Sequence, residues 1–167
     1  MLRAFVLAST LAPMKTLAHE CDLHELQRRY AALCGDDRPV FGTMSAGMAV
    51  CHVRQAYRWA MSGTPGTLPY TLLVPRAVIK RIALYASVQW RPGVKTVLEL
   101  EPGEPGTEPA DFAADKAGLL AEMERFAASI GISADAPDHA FFGTMSRADW
   151  LRWGYLHADH HLRQFGR

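Results

Sequence analysis

The sequence predicts an all-α protein, a four-helix bundle with one long crossover between its second and third helices. Three observations carry this expectation. Four stretches repeat apolar residues every three or four positions, the period of an amphipathic helix. Serine and glycine stand where those stretches should begin and end. Nothing makes a convincing strand, since residues 94–100, the nearest to one, are too isolated to build a sheet.

Helix one spans about residues 18–34, with Leu23, Leu26, Tyr30 and Leu33 on one side and Gly35 as its stop. His19 and His24 alternate there with Glu20, Asp22 and Glu25, which marks them as solvated or half-exposed. Residues 36–39 turn the chain. Phe41-Gly-Thr-Met-Ser45 then recurs letter for letter as Phe142-Gly-Thr-Met-Ser146, each copy just ahead of a helical run. The repeat fits either pseudo-symmetry of a helix pair or a shared way of starting a helix. Helix two follows over 46–61 and stops at Ser62-Gly63-Thr-Pro-Gly66.

The crossover is rich in Pro, Gly and Thr over 64–75 and carries a short extra helix over 75–89, with Val78, Ile82 and Tyr85 or Ala86 expected inside. Trp90-Arg-Pro-Gly93 breaks it, and residues 101–109 form a long loop. Helix three covers 109–130, with Phe112, Leu119, Leu120, Met123, Phe126, Ala127 and Ile130 as its apolar stripe and Asp115, Lys116, Glu122 and Arg125 on the other side. Helix four runs from Ser146, whose hydroxyl and Asp149 three residues on form a capping pair.

With 167 residues, one domain is expected, large enough to fold without disulfides or metal clips. Lys and Arg total 18 against 17 Asp and Glu, interspersed, so neither nucleic acid nor a membrane surface is an expected partner. No apolar run reaches the ~20 residues of a membrane span. Three cysteines with no C-x-x-C pair favour a reducing compartment and free, buried thiols, hence a cytoplasmic protein. Residues 1–13 loosely resemble a secretory leader, with Arg3 ahead of a short apolar run, but Ser9 and Thr10 interrupt it and Met14 offers another start. They are expected to be an extension outside a single domain of residues 14–167.

The chemistry concentrates in helix four, which holds three of the seven histidines. At about 100° per residue, His157 and His161 lie roughly 40° apart and His160 roughly 60° to the other side. Arg152, Asp159 and Arg163 take the opposite face, where solvent is expected, and Trp150 and Trp153 continue the histidine stripe as an apolar wall. One inward histidine is usually a core residue bonded to backbone or water. Two inward imidazoles one turn apart are how a helix offers two nitrogens to one metal ion, and an open site needs a third ligand. On helix two, Arg54 and Arg58 point away from His52, while Met48, Gln55, Ala56 and Trp59 share its side. His52 therefore supplies the third candidate.

His157-Ala-Asp-His-His-Leu-Arg-Gln-Phe-Gly166, Phe142-Gly-Thr-Met-Ser-Arg-Ala-Asp-Trp150, Gly106-Thr-Glu-Pro-Ala-Asp-Phe112 and Trp90-Arg-Pro-Gly-Val-Lys-Thr96 together resemble a bacterial family of unknown function within the DinB/YfiT-like metalloenzyme superfamily. The resemblance spans roughly 14–166; it departs from the family pattern at Ala140, where a proline usually follows the histidine. It implies an up-down-down-up bundle whose divalent ion, zinc or nickel foremost, is held by one histidine of helix two and two of helix four. Those positions are His52, His157 and His161. His160, Gln164 and Gln55 would then border the metal or face substrate, with packing at the helix end an equal reading for Gln164. Cys51 and His160 are the nearby candidates for a fourth ligand, though Cys51 reads as a structural thiol. Relatives in that superfamily imply transferase or isomerase chemistry with a low-molecular-weight thiol, and a homodimer is compatible with it. Metal-assisted hydrolysis and a non-catalytic metal-binding bundle are the alternatives. Hydrolysis is weakened because helices two and four point no carboxylate inward.

Overall fold

The computed structural model describes residues 14–86, 88–101, 104, 108–130 and 138–167. The expected 1–13 extension lies outside them. Among the described residues the regular structure is helical and contains no strand: α1 (Glu20–Ala31), α2 (Ala46–Ser62), α3 (Arg76–Tyr85), a 3₁₀ turn (Leu98–Leu100), α4 (Phe112–Ser129) and α5 (Arg147–Arg163). Helices three and four of the sequence reading are α4 and α5, and the crossover helix is α3. No helix among the described residues is long and apolar enough to cross a membrane.

Local chemistry explains the helix ends. Both copies of the Phe-Gly-Thr-Met-Ser repeat start a helix in the same manner. Ser45 accepts the N–H of Met48, Ser146 accepts that of Asp149, and the preceding glycines have φ +77° and +66°. Only the second copy has an acid three residues on, so only α5 closes a full capping box. α1 stops at Ala31, short of Gly35. The Lys116 ammonium from α4 binds the carbonyls of Ala31 and Leu33, so the helix end is satisfied without a glycine.

α4 lies along α2, α1 packs on α4 and α5, α5 touches α2, and α3 rests on α5. Trp150, Tyr30, Tyr57, Phe126, Leu26, Leu119, Met123 and Leu162 are fully enclosed in the shared core. Burying each large apolar side chain contributes about 1.5–3 kcal/mol. Two core tyrosines also fix α5. Tyr57 Oη donates to the Gly154 carbonyl at 2.9 Å and Tyr30 Oη to that of Ala158 at 3.1 Å. At Gly154 a Cβ would lie 2.6 Å from Phe126 Cε1 and 2.9 Å from Leu17 Cδ1, so α5 makes its close approach one turn before His157.

Four expectations are corrected. Val78, Ile82 and Tyr85 are exposed while Ala86, the alternative to Tyr85, is half-buried, and α3 instead buries Leu84, with Ile79 and Ala83 half-covered. The reason is that α3 is fastened to α5 largely through polar groups. Tyr85 Oη and Lys80 Nζ bind the Asp149 carboxylate, and Arg152 Nε donates to the Leu84 carbonyl at 2.9 Å. Asp115 and Glu122 on α4 are buried, because Arg54 and Arg58 of α2 reach across to pair with them. The Arg152, Asp159, Arg163 face of α5 is half-buried, since α1 and α3 cover it and Arg29 pairs with Asp159 at 2.8 Å. Of the three thiols, only Cys51 is buried.

Candidate metal centre

α2 and α5 cross with their histidine faces opposed. His52 comes from the second turn of α2, His157 and His161 from successive turns at the end of α5, and exposures of 5%, 9% and 6% place all three rings inside. Ring centroids lie 5.2 Å apart for His52 and His157, 4.8 Å for His52 and His161, and 4.8 Å for His157 and His161. One nitrogen from each ring lies within 4.8 Å of the others. The Nε2 atoms of His52 and His157 are 3.3 Å apart. A tetrahedral zinc with bonds of about 2.0–2.1 Å would hold two ligand nitrogens about 3.4 Å apart, so that pair already has a coordination edge.

Hydrogen bonding turns the lone pairs inward. The Leu100 carbonyl, 3.3 Å from His52 Nδ1, can only accept, so Nδ1 carries the proton and Nε2 the free pair. The Gln164 amide oxygen does the same at 2.9 Å from His161 Nδ1. His157 is held by stacking on Trp153, with centroids 5.0 Å apart and planes 14° apart, and its buried Nδ1 has no protein partner. Burial drives the His52 pKa down to about 4, against the favourable Leu100 bond and with a small push from His160. Burial, then the neighbouring imidazoles, takes His157 well below 6.5; for His161 burial and His52 outweigh the Gln164 bond. His157 Nε2 can donate to the His52 Nε2 lone pair across their short contact; with that proton released, three neutral imidazole nitrogens face one point, a donor set suited to a divalent cation.

Around the cluster, His160 is half-buried at the rim. Its ring faces Phe41 at 5.7 Å and Trp90 at 6.2 Å, and Trp90 also covers His157 at 6.4 Å. Gln164 is buried. Gln55 is half-buried on α2, with no hydrogen bond to the three rings among the described residues. Burial, followed by the charge of Asp115, pushes the Cys51 thiol pKa up to about 11. Asp159 is paired with Arg29 and Arg163, and Asp149 with Ser146, Tyr85 and Lys80.

Residues 16–167 match the family described as Protein of unknown function (DUF1569). The chain belongs to that family. No curated protein and no solved structure gives a significant match. The matched span of this DUF1569 protein includes helices α1 to α5 and the three clustered histidines.

Sequence reasoning about this DUF1569 protein did not reach the Leu100 carbonyl or the cover formed by Trp90 and Phe41. Both come from loops whose position depends on long-range packing. Trp90 stood out as part of a turn and of the family-like stretch 90–96, with nothing to place its ring over the histidines, and a backbone carbonyl leaves no sequence signal.

Proposed function

We propose that His52, His157 and His161 hold one divalent metal ion, zinc or nickel, in an enzyme that transfers or isomerises groups with the help of a low-molecular-weight thiol. The observation that carries this is the convergence of three buried neutral imidazoles, two with the outer nitrogen already engaged in the manner of metal-bound histidine. All-imidazole donors suit both ions, and three protein ligands leave a coordination position open. When bound, such an ion would lower the pKa of a thiol or water that reaches it.

The chain's own part is positioning. The Leu100 carbonyl and Gln164 amide keep two imidazoles in one tautomer, and the Trp153 face fixes the plane of the third. Trp90, Phe41 and His160 would line the approach and limit water there. Thiol chemistry is favoured over hydrolysis because the two acids of α5, Asp149 and Asp159, are committed to other partners, so that helix turns no carboxylate to the cluster as a general base. A purely structural ion would call for a fourth protein ligand, and among the described residues neither Cys51 nor His160 joins the group formed by His52, His157 and His161.

The same proposal puts the chain in the DinB/YfiT-like superfamily, as an up-down-down-up four-helix bundle in a single domain of residues 14–167, with α3 on the crossover. It is supported by the helix order and by the distribution of one histidine on α2 and two, four apart, on α5.

The test is to load the protein with zinc or nickel and incubate it with a panel of small thiols and an electrophile such as 1-chloro-2,4-dinitrobenzene. The expected result is thioether formation that depends on the metal and disappears in His157→Ala. Equal rates in chelated and loaded protein, for every thiol tried, would contradict the assignment.

A further inference from the structure

The first copy of the repeated Phe-Gly sequence does more than start a helix. Residues 40–42 fold back onto the C-terminal end of α5, where Val40 donates its N–H to the Gln164 carbonyl at 2.6 Å. Gly42, at φ +77°, faces the Gln164 amide; a Cβ built there would sit 2.8 Å from Nε2. The other end of the same amide, Oε1, accepts from His161 Nδ1. The second copy differs. Gly143 shares the positive φ, but its Cβ would meet Arg76 only at an ordinary 3.6 Å. Gly143 is therefore needed for its backbone angle alone, Gly42 for its angle and for the space it leaves.

We propose that the 40–42 turn and Gln164 act as a gauge that selects the tautomer of His161: Gly42 seats the Gln164 amide so that its oxygen holds the proton on Nδ1 and leaves Nε2 free toward the cluster. Gln164 and Gly42 are thus positioning residues acting through His161. The tautomer of a histidine is set by the bond its outer nitrogen makes, and losing such a partner typically costs 10–100-fold in metal affinity. The functional meaning of the gauge rests on the metal-centre reading, whereas its existence can be read in metal-free protein.

The experiment is long-range ¹H–¹⁵N NMR of histidine-labelled, metal-free protein, paired with zinc titration against a competing chelator. Wild type is expected to show His161 protonated on Nδ1. Gln164→Met, similar in shape but with only a weakly accepting sulfur in place of the amide oxygen, should lose that signature and bind zinc about 10–100-fold more weakly, with far-UV circular dichroism unchanged. Gln164→Glu keeps an acceptor oxygen and should retain the Nδ1–H form. Gly42→Ala combines the collision with backbone strain and can simply fail to fold. Gly42→Asn tolerates positive φ and isolates the collision; it should shift His161 as Gln164→Met does. An Nδ1–H signature that persists in both Gln164→Met and Gly42→Asn overturns the proposal, as does a wild-type His161 protonated on Nε2. Wild-type protein with the Nδ1–H form but no zinc affinity supports the gauge and removes the metal reading. Zinc bound with undiminished affinity in Gln164→Met overturns the gauge's role in metal binding and leaves the metal reading standing.

Discussion

Acid should unfold this protein through its buried neutral histidines, and His139 isolates the effect because it stands apart from the three-ring cluster. It is 4% exposed, stacked on Phe142 with centroids 4.4 Å apart, and enclosed by Trp150, Trp153 and Trp59. Its Nδ1 accepts the Phe141 N–H at 3.1 Å. Burial first, and the Arg76 charge second, press its pKa down from 6.5 to about 3. The unfolded chain binds a proton there below about 6.5 and the folded chain does not until about 3. Stability is therefore retained above pH 6.5 and falls as the pH drops through that window, by about 1.4 kcal/mol per unit. His139→Asn places an amide oxygen where Nδ1 accepts and removes the titration. Urea unfolding with a chelator present, measured between pH 6 and 4.5, should show the wild type losing roughly 2 kcal/mol more than the variant over that interval. His157 feels the His139 charge only as the smallest of its influences, so most of the contribution of His52, His157 and His161 cancels in the difference. Parallel stability curves for the two proteins would refute the reasoning.

Other perturbations test how α5 and α3 are held. Gly154→Ala puts a methyl against Phe126 and Leu17; crowding of about 1–3 kcal/mol should exceed a helix-propensity gain of about 1 kcal/mol. A lowered melting temperature is expected, and a raised one would mean that α5 does not approach the core closely at that point. Tyr85→Phe removes a hydroxyl bonded to Asp149, at a cost of about 1–2 kcal/mol. Burial alone would raise the Asp149 pKa, but the bonds from Tyr85, Ser146 and Lys80 outweigh it and hold the group below its ordinary value. The substitution should thus move the Asp149 titration upward in carboxyl NMR; an unchanged titration would remove Tyr85 from the latch.

Much of the site was legible because helical phase is a local property. The spacing of His157 and His161, and the placement of Arg54 and Arg58 away from His52, were enough to turn all three imidazoles the same way, and the structure brings the rings together. The capping of α5 by Ser146 and Asp149 was equally local. What sequence did not reveal depends on partners distant along the chain. Val78, Ile82 and Tyr85 looked like a buried stripe, yet α3 docks through Lys80, Arg152 and the Tyr85 hydroxyl, whose acceptors lie on or against α5. Asp115 and Glu122 looked like a solvent face until α2 presented two arginines to them. The same holds for Gly42, whose constraint comes from a side chain 122 positions later in the sequence.

The most direct measurement is metal stoichiometry and affinity in wild type and in His52→Ala, His157→Ala and His161→Ala, by elemental analysis after chelation and reloading with zinc or nickel. One ion per chain is expected in wild type, with much weaker binding in every single variant while far-UV circular dichroism stays helical. Undiminished, stoichiometric binding in all three variants would contradict the account, and so would a properly folded wild-type protein that takes up neither ion.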